Sequence, residues 1–357
     1  MKKAPAKFNS LTIYLSFLTA TVLLLLLFTF TFNALVDPLW YFRGNRLGET
    51  NFAFNERLSK ANLINGHEAD FDCVIFGDSR TTLLPEQKIN GYRCFNFAFS
   101  AGAVNEYVAY AEWLKARGMS PKLVIVGVSA GDFRPRKAPR NVPDFIDADK
   151  SPPLATLQYL SLDVTAMSLR TLFGKTPIDR LYDKNFRCKV AVINAYNPAK
   201  PIRDIYAGPF HQRAPLDAFQ KLKAIFPSAK FVGYAPPLSA YAIAEYQRIL
   251  WLSSYTRALH DVSFLFDRFL DTSVPSAMTI DPENTYDGTH YSSEVNAKIA
   301  EILVKGSGPF ALDIKKLSAE EMLSVYKQRL SIYSNELAKR VGEQVDEPGP
   351  EQAPHVQ

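Results

Sequence analysis

A serine becomes a nucleophile when a neighbouring base takes its proton, and the base works best when a third group fixes its orientation. The chain holds one set of residues with that potential. Gly77-Asp78-Ser79-Arg80 follows directly on the apolar run Asp72–Phe76. Asp287-Gly288-Thr289-His290 lies far along the chain, just before an amphipathic stretch. The histidines are His67, His211, His260, His290 and His355, and only His290 has a carboxylate three residues ahead of it in a post-strand loop. Taken singly, both segments are commonplace: Gly-Asp-Ser occurs by chance in many chains, and an isolated Asp-x-x-His is usually a structural loop pair. Together, in this order, they outline Ser79 as nucleophile, His290 as base and Asp287 as the group that orients the imidazole.

Such residues need a frame. From Asp70 onward, short apolar runs alternate with helical periodicity. Strands are expected at Asp72–Phe76, Cys94–Phe99, Lys122–Val128, Lys230–Tyr234 and Val262–Phe266. Helices are expected at Val104–Arg117 (with Gly118 ending it), Leu154–Leu172, Leu216–Phe226, Ala240–Leu259 and Ser293–Lys305. Strands alternating with helices imply an α/β fold, a parallel sheet of about five strands covered on both faces. Ser79 would then sit just past the carboxyl end of a strand, where such sheets place their sites. If a helix opens there, its amino-terminal N–H groups would face the same spot. Ser318–Arg340 reads as a long helix whose Ser318 and Glu321 fit a capping box.

On Gly77-Asp78-Ser79 and Asp287-Gly288-Thr289-His290 the chain resembles the SGNH (GDSL-type) hydrolase superfamily, from about residue 70 to about residue 310. The segment Asn96-Phe97-Ala98-Phe99-Ser100-Ala101-Gly102 resembles the family's second block. The resemblance implies a three-layer α/β domain in which Ser79, Asp287 and His290 form the triad. It also implies an oxyanion hole made by the backbone N–H groups of Ser79 and Gly102. The third block departs from the pattern: Gly127-Val128-Ser129-Ala130-Gly131-Asp132 lacks the family's asparagine. Ser129, or Asn105 from the second block, stands in as the further donor, whereas Asp132 would repel the developing charge. Arg80, beside the nucleophile, is a candidate for holding an anionic substrate group, and Arg134, Arg136, Lys137 and Arg140 would extend that surface. The anchor described next, followed by Asp37-Pro38-Leu39-Trp40, resembles that of membrane-attached members acting on cell-envelope polymers.

Leu11–Val36 carries no charged residue. As a helix it would measure about 39 Å, enough for a ~30 Å hydrocarbon core. No small-x-small site follows, so a retained anchor is expected in place of a cleaved signal peptide. Trp40, Tyr41 and Phe42 suit the membrane interface. Lys2, Lys3 and Lys7 precede the span, while Arg43 and Arg46 beyond it are offset by Asp37 and Glu49; this favours the amino end in the cytoplasm and the body outside. The expected organisation is a cytoplasmic start (1–10), a transmembrane anchor (11–36) and a juxtamembrane segment (37–69). A catalytic domain (70–310), a carboxyl-terminal helix (311–340) and a disordered Pro-, Glu- and Gln-rich tail (341–357) follow.

The balance of 47% apolar and 22% charged residues is that of a globular chain, and the net charge of +5 is mild. With no basic run interleaved with aromatics, nucleic acid is not an expected partner. Cys73, Cys94 and Cys188 form no Cys-x-x-Cys pair, so no metal site is indicated. Cys73 and Cys94 read as small core residues in buried strands, with a bridge between neighbouring strands as the alternative for an exported domain. No cofactor is required. The expected function is a serine esterase or O-acyltransferase at the periplasmic face of an inner membrane. It would work through a covalent acyl-serine on an envelope polysaccharide or lipid-linked glycan, with a membrane acyl-donor protein as a further partner. The alternative is a non-catalytic binding or assembly protein of the envelope.

Overall fold

The computed structural model describes residues 10–52, 54–134, 142–174, 180–183, 186–190, 196–198 and 216–345. Along the chain come α1 (Ser10–Val36), β1 (Thr50–Phe52), α2 (Glu56–Ile64), β2 (Cys73–Phe76) and β3 (Cys94–Asn96). Next are α3 (Val104–Ala116), β4 (Leu123–Gly127), α4 (Asp144–Asp147), α5 (Ala155–Tyr159), α6 (Leu162–Phe173), β5 (Arg180–Asp183) and β6 (Cys188–Val190). The remainder holds α7 (Leu216–Ile225), β7 (Lys230–Ala235), α8 (Ala240–Arg248), α9 (Leu252–Ser263), β8 (Arg268–Asp271) and α10 (Ala277–Ile280). It closes with α11 (Ser293–Lys305), β9 (Leu312–Asp313), α12 (Ala319–Ile332) and α13 (Ser334–Val345).

These elements fall into two compact units. One joins the chain up to Leu63 with Ser151–Arg187; the other comprises Ile64–Lys150 and the chain from Cys188 onward. The continuous span expected over 70–310 is therefore interrupted by α5, α6 and β5, whose packing partners lie in the first unit.

The second unit is mixed α/β, built on a six-stranded sheet in the order β3-β2-β4-β7-β8-β9. The first five strands run parallel, and β9 closes the edge antiparallel to β8. Strands β2 and β4 are buried along their whole length, which is why they read as unbroken apolar runs. Alternate residues serve opposite faces. Ile75, Ile125, Val232 and Leu270 pack with Val295 and Ile299 of α11. On the other face Phe76 stacks on Tyr107 of α3, and Phe231 stacks on Phe266, which meets Phe219 of α7. Cys73 and Cys94 occupy paired positions on β2 and β3 and form a disulfide, the alternative reading of those residues.

Helix α3 ends as expected: Gly118 takes a φ of +89°, and the N–H groups of Gly118 and Met119 return to the carbonyls of Lys115 and Leu114. Val262–Phe266 is not a strand. Leu259, Val262 and Phe266 are buried at helical spacing, α9 runs through Ser263, and the strand lies at Arg268–Asp271. A short apolar run cannot by itself separate the two periods. The helix expected over Ala240–Leu259 is broken around Leu250, whose φ is +62°. The carboxyl-terminal helix is likewise two helices, parted at Tyr333 and reaching Val345. Its capping box forms: Glu321 Oε2 accepts from the Ser318 N–H at 2.7 Å, and Ser318 Oγ accepts from the Glu321 N–H at 3.2 Å.

In the first unit α1 is a single apolar helix long enough to cross a membrane. The chain leaving it wraps the Asp37 carboxylate, which accepts N–H groups from Phe42 at 2.8 Å and Gly44 at 2.6 Å and the hydroxyl of Tyr159. The three aromatics that follow α1 make ring contacts within this unit. Trp40 is 1% exposed and meets Phe186 edge-on, while Tyr41 and Phe42 flank Tyr159.

Candidate active site

The site lies in the second unit, at the carboxyl ends of the parallel strands. Strand β2 is an interior strand, between β3 and β4, so the residues after Phe76 emerge at that edge with a parallel strand on either side. Gly77 permits the turn for a steric reason. A Cβ there would fall 2.3 Å from Thr81 Oγ1, and one on Gly127 would fall 1.9 Å from the same atom. Thr81 is fully buried in the space the two glycines leave, under the turn that carries Ser79. Its hydroxyl meets Tyr234 Oη of β7 at 3.3 Å.

The turn itself is tight. The N–H groups of Thr81 and Thr82 both return to the Asp78 carbonyl, and Thr82 Oγ1 donates to the Ser79 carbonyl at 2.7 Å. No α-helix opens at Ser79; a single 3₁₀ turn, Glu86–Lys88, comes later. A helix-dipole contribution at Ser79 therefore falls away.

The loop 285–290 is organised by its own side chains. Thr285 Oγ1 accepts the Gly288 N–H at 3.0 Å and donates to the His290 carbonyl at 2.7 Å. Asp287 Oδ1 accepts the N–H groups of Thr289 at 2.8 Å and His290 at 2.7 Å. Asp287 Oδ2 lies 2.6 Å from His290 Nδ1, and His290 Nε2 lies 2.7 Å from Ser79 Oγ. The tautomer that suits both contacts carries its proton on Nδ1, donates to Asp287 and accepts from the serine. Tyr286 stacks on the imidazole at 5.5 Å, and the Thr289 hydroxyl donates to Asp287 Oδ1 at 3.0 Å while lying 3.1 Å from Nδ1.

Burial opposes the Asp287 charge, but the hydrogen bond and charge of His290, with the N–H groups of His290 and Thr289, outweigh it and bring the carboxyl down to about 2. Asp287 is thus an anion aimed at the imidazole. Asp78 is also held below the usual carboxylate range. Burial pushes it up, and the Arg80 guanidinium, the Ser129 hydroxyl and the Arg80 N–H pull it down further.

The three triad residues expected from the sequence are therefore brought into one hydrogen-bonded chain. The supporting residues are placed differently. Arg80 is 9% exposed and turned onto Asp78, its Nη2 3.2 Å from Oδ2. The Gly102 N–H closes the Phe99–Gly102 turn on the Phe99 carbonyl at 3.0 Å. Gly102 is still required there, because a Cβ would meet Tyr107 Oη at 2.7 Å and the Gly77 carbonyl at 2.9 Å. Ser129 is buried beside Asp78. Its N–H goes to Asp132 Oδ2 at 2.9 Å, so Asp132 caps its own turn. Asn105 is exposed on the first turn of α3. Arg134 is 7% exposed, lies over the rings of Tyr246 and Trp251 and donates to Tyr246 Oη. Arg136, Lys137 and Arg140 lie outside the described residues.

Thr81, Thr285, Tyr286 and Thr289 were not singled out from the sequence. The pairing of Gly77 with Gly127 at two strand ends was the available signal for Thr81; the others carry none beyond their nearness to His290. Among the described residues no group of three or more His, Cys, Asp or Glu is placed to hold a metal. Compared with family models, curated proteins and solved structures, the chain matches none of them.

Proposed function

We propose that this chain is a membrane-anchored serine esterase or O-acyltransferase of the SGNH type. The observation that carries the proposal is the continuous Ser79–His290–Asp287 hydrogen-bonded chain, assembled across 211 residues at the carboxyl edge of a parallel sheet. Ser79 Oγ attacks an ester carbonyl and gives its proton to His290 Nε2. That proton leaves with the departing alcohol, and Ser79 carries the acyl group. Water or a sugar hydroxyl, deprotonated by His290, then takes the acyl group and restores Ser79. The oxyanion is assigned to the backbone N–H groups of Ser79 and Gly102, with Ser129 or Asn105 as the candidates for a further donor; removing one such donor costs about 10²–10³ in rate.

The anchor α1, the lysines before it and the Cys73–Cys94 disulfide support an extracytoplasmic body on an inner membrane. Tethering favours an envelope polysaccharide or lipid-linked glycan, held at high local concentration, over a freely diffusing ester. A membrane protein that supplies the acyl group is the matching partner for the transferase reaction.

The test is fluorophosphonate labelling of the purified full-length chain. Wild type is expected to label, and Ser79→Ala and His290→Ala to lose labelling while remaining folded. Wild-type rates of labelling in His290→Ala would refute the triad. Mass spectrometry of envelope glycans from cells with wild type, Ser79→Ala or no protein then tests the acceptor; unchanged O-acyl content across all three sinks the glycan assignment alone.

A further inference from the structure

Several of the most exposed apolar side chains beyond α1 are gathered on α5 and α6. On α6 Leu162 is 84% exposed, Leu169 47% and Phe173 81%, and exposed Ala166 falls between them. The spacing 162, 166, 169, 173 puts all four on one face of the helix. Asp163 and Arg170, both exposed, form a charged line along one margin of this stripe. Leu154 and Leu157, at the amino end of α5, are 77% and 79% exposed.

The opposite face of α6 is seated on α1. Val164 and Ser168 are buried, and Ser168 Oγ donates to Asn33 Oδ1 at 2.8 Å. Asn33 Nδ2 in turn donates to the Tyr159 carbonyl at 2.8 Å and to Thr165 Oγ1 at 3.0 Å. Asn33 lies one turn from the carboxyl end of α1 and is wholly buried, although α1 is otherwise exposed along nearly all its length. An amide at the margin of a hydrocarbon core needs partners supplied by protein. Here α5 and α6 supply all of them.

We propose that α5 and α6 are an interfacial helix pair, with the Leu162–Ala166–Leu169–Phe173 stripe immersed in the lipid leaflet at the carboxyl end of α1. This rests on α1 being a membrane span. The occupant follows from continuity: the stripe belongs to a helix fixed to α1 at Asn33, so a bilayer that surrounds α1 reaches it. An apolar face bordered by charge, lying flat at the headgroup–acyl boundary, is the form such helices take. The chain would then hold its membrane by two devices, a span and a surface float that fixes the rotation of this unit about the span.

The experiment uses the full-length chain in lipid nanodiscs, with Cys188→Ser removing the cysteine outside the disulfide. Single variants Leu162→Cys, Leu169→Cys, Phe173→Cys, Asp163→Cys and Leu25→Cys are labelled with bimane. Each is then quenched by doxyl-labelled lipid or by aqueous iodide. All five positions are exposed, so the labels are tolerated. The stripe positions are expected to be quenched by doxyl lipid at least about twofold more than Asp163→Cys, and less by iodide. Iodide quenching of the stripe equal to that at Asp163 overturns the proposal. Protection from both quenchers overturns it in favour of a protein partner or a second copy. If Leu25→Cys is lipid-quenched and the stripe is not, only this inference falls; if Leu25→Cys also escapes lipid, the anchor reading falls with it.

Discussion

Asp271 and Asp287 are carboxylates of the same region, one ending β8 and the other in the loop that follows, and they are held in opposite ways. Asp271 is fully buried. It accepts the Ser273 N–H and hydroxyl at 2.8 and 2.7 Å and the Tyr326 hydroxyl at 2.6 Å, and Tyr255 joins through Ser273 at 2.8 Å. Burial dominates, so its carboxyl is raised. Asp287 is 40% exposed at its side chain, is faced by His290, and is lowered to about 2. Neutral hydroxyl donors are enough to fasten α12 to the sheet, but they do not offset the loss of water around a charge. A titratable partner does, and it makes the carboxylate useful to a base.

The sharpest test of this contrast is Asp287→Asn, which keeps the shape but not the charge or the tautomer. Turnover of a short-chain aryl ester is expected to fall about 10⁴-fold, with folding retained. A residual rate within tenfold of wild type would break the assignment of Asp287 as the orienting anion.

Tyr326→Phe removes a donor from Asp271. It is expected to cost about 1–3 kcal/mol of stability in denaturant unfolding, with the rate per folded molecule unchanged. An equal loss of activity would erase the distinction between the two carboxylates.

Acid titration of stability separates them by sign. The lowered Asp287 contributes stability that is present above its ordinary value near 4 and is lost as pH falls toward about 2. The raised Asp271 behaves oppositely, its contribution falling as pH rises past the ordinary value. Against wild type, Asp287→Asn is therefore expected to show a stability deficit above pH ~4 that closes toward pH ~2. With solvent screening, that deficit is on the order of 1 kcal/mol. A deficit that widens in acid would reverse the argument. The smallest effect belongs to Thr289→Val, which removes one of several hydrogen bonds to Asp287; about a two- to tenfold loss in kcat is expected, with little change in KM.

Much of the site was legible because its chemistry is local. Asp287, Gly288, Thr289 and His290 form one turn whose hydrogen bonds run between near neighbours, so their spacing carries their geometry. The buried strands β2 and β4 were equally plain, being apolar on both faces. The failures were of two kinds. Val262–Phe266 is too short a run for periodicity to distinguish helix from strand. Arg80 was considered for an anionic substrate group because it follows Ser79, and its contact with Asp78 could not be read from that adjacency.

By itself the sequence determined the long apolar helix at the amino end, the alternation of strands and helices, and which serine, aspartate and histidine to bring together as candidates for one site. Uninterrupted apolar length, hydrophobic period and short-range hydrogen bonding are properties of contiguous residues. Only the tertiary structure decided that Ser79 meets His290, that Cys73 meets Cys94, that Thr81 fills the gap left by Gly77 and Gly127, and that Asn33 is satisfied by α5 and α6. Each of those contacts joins residues brought together by sheet order or helix packing. Burial then sets their energies, because a polar atom removed from water must find its partner wherever the fold provides one.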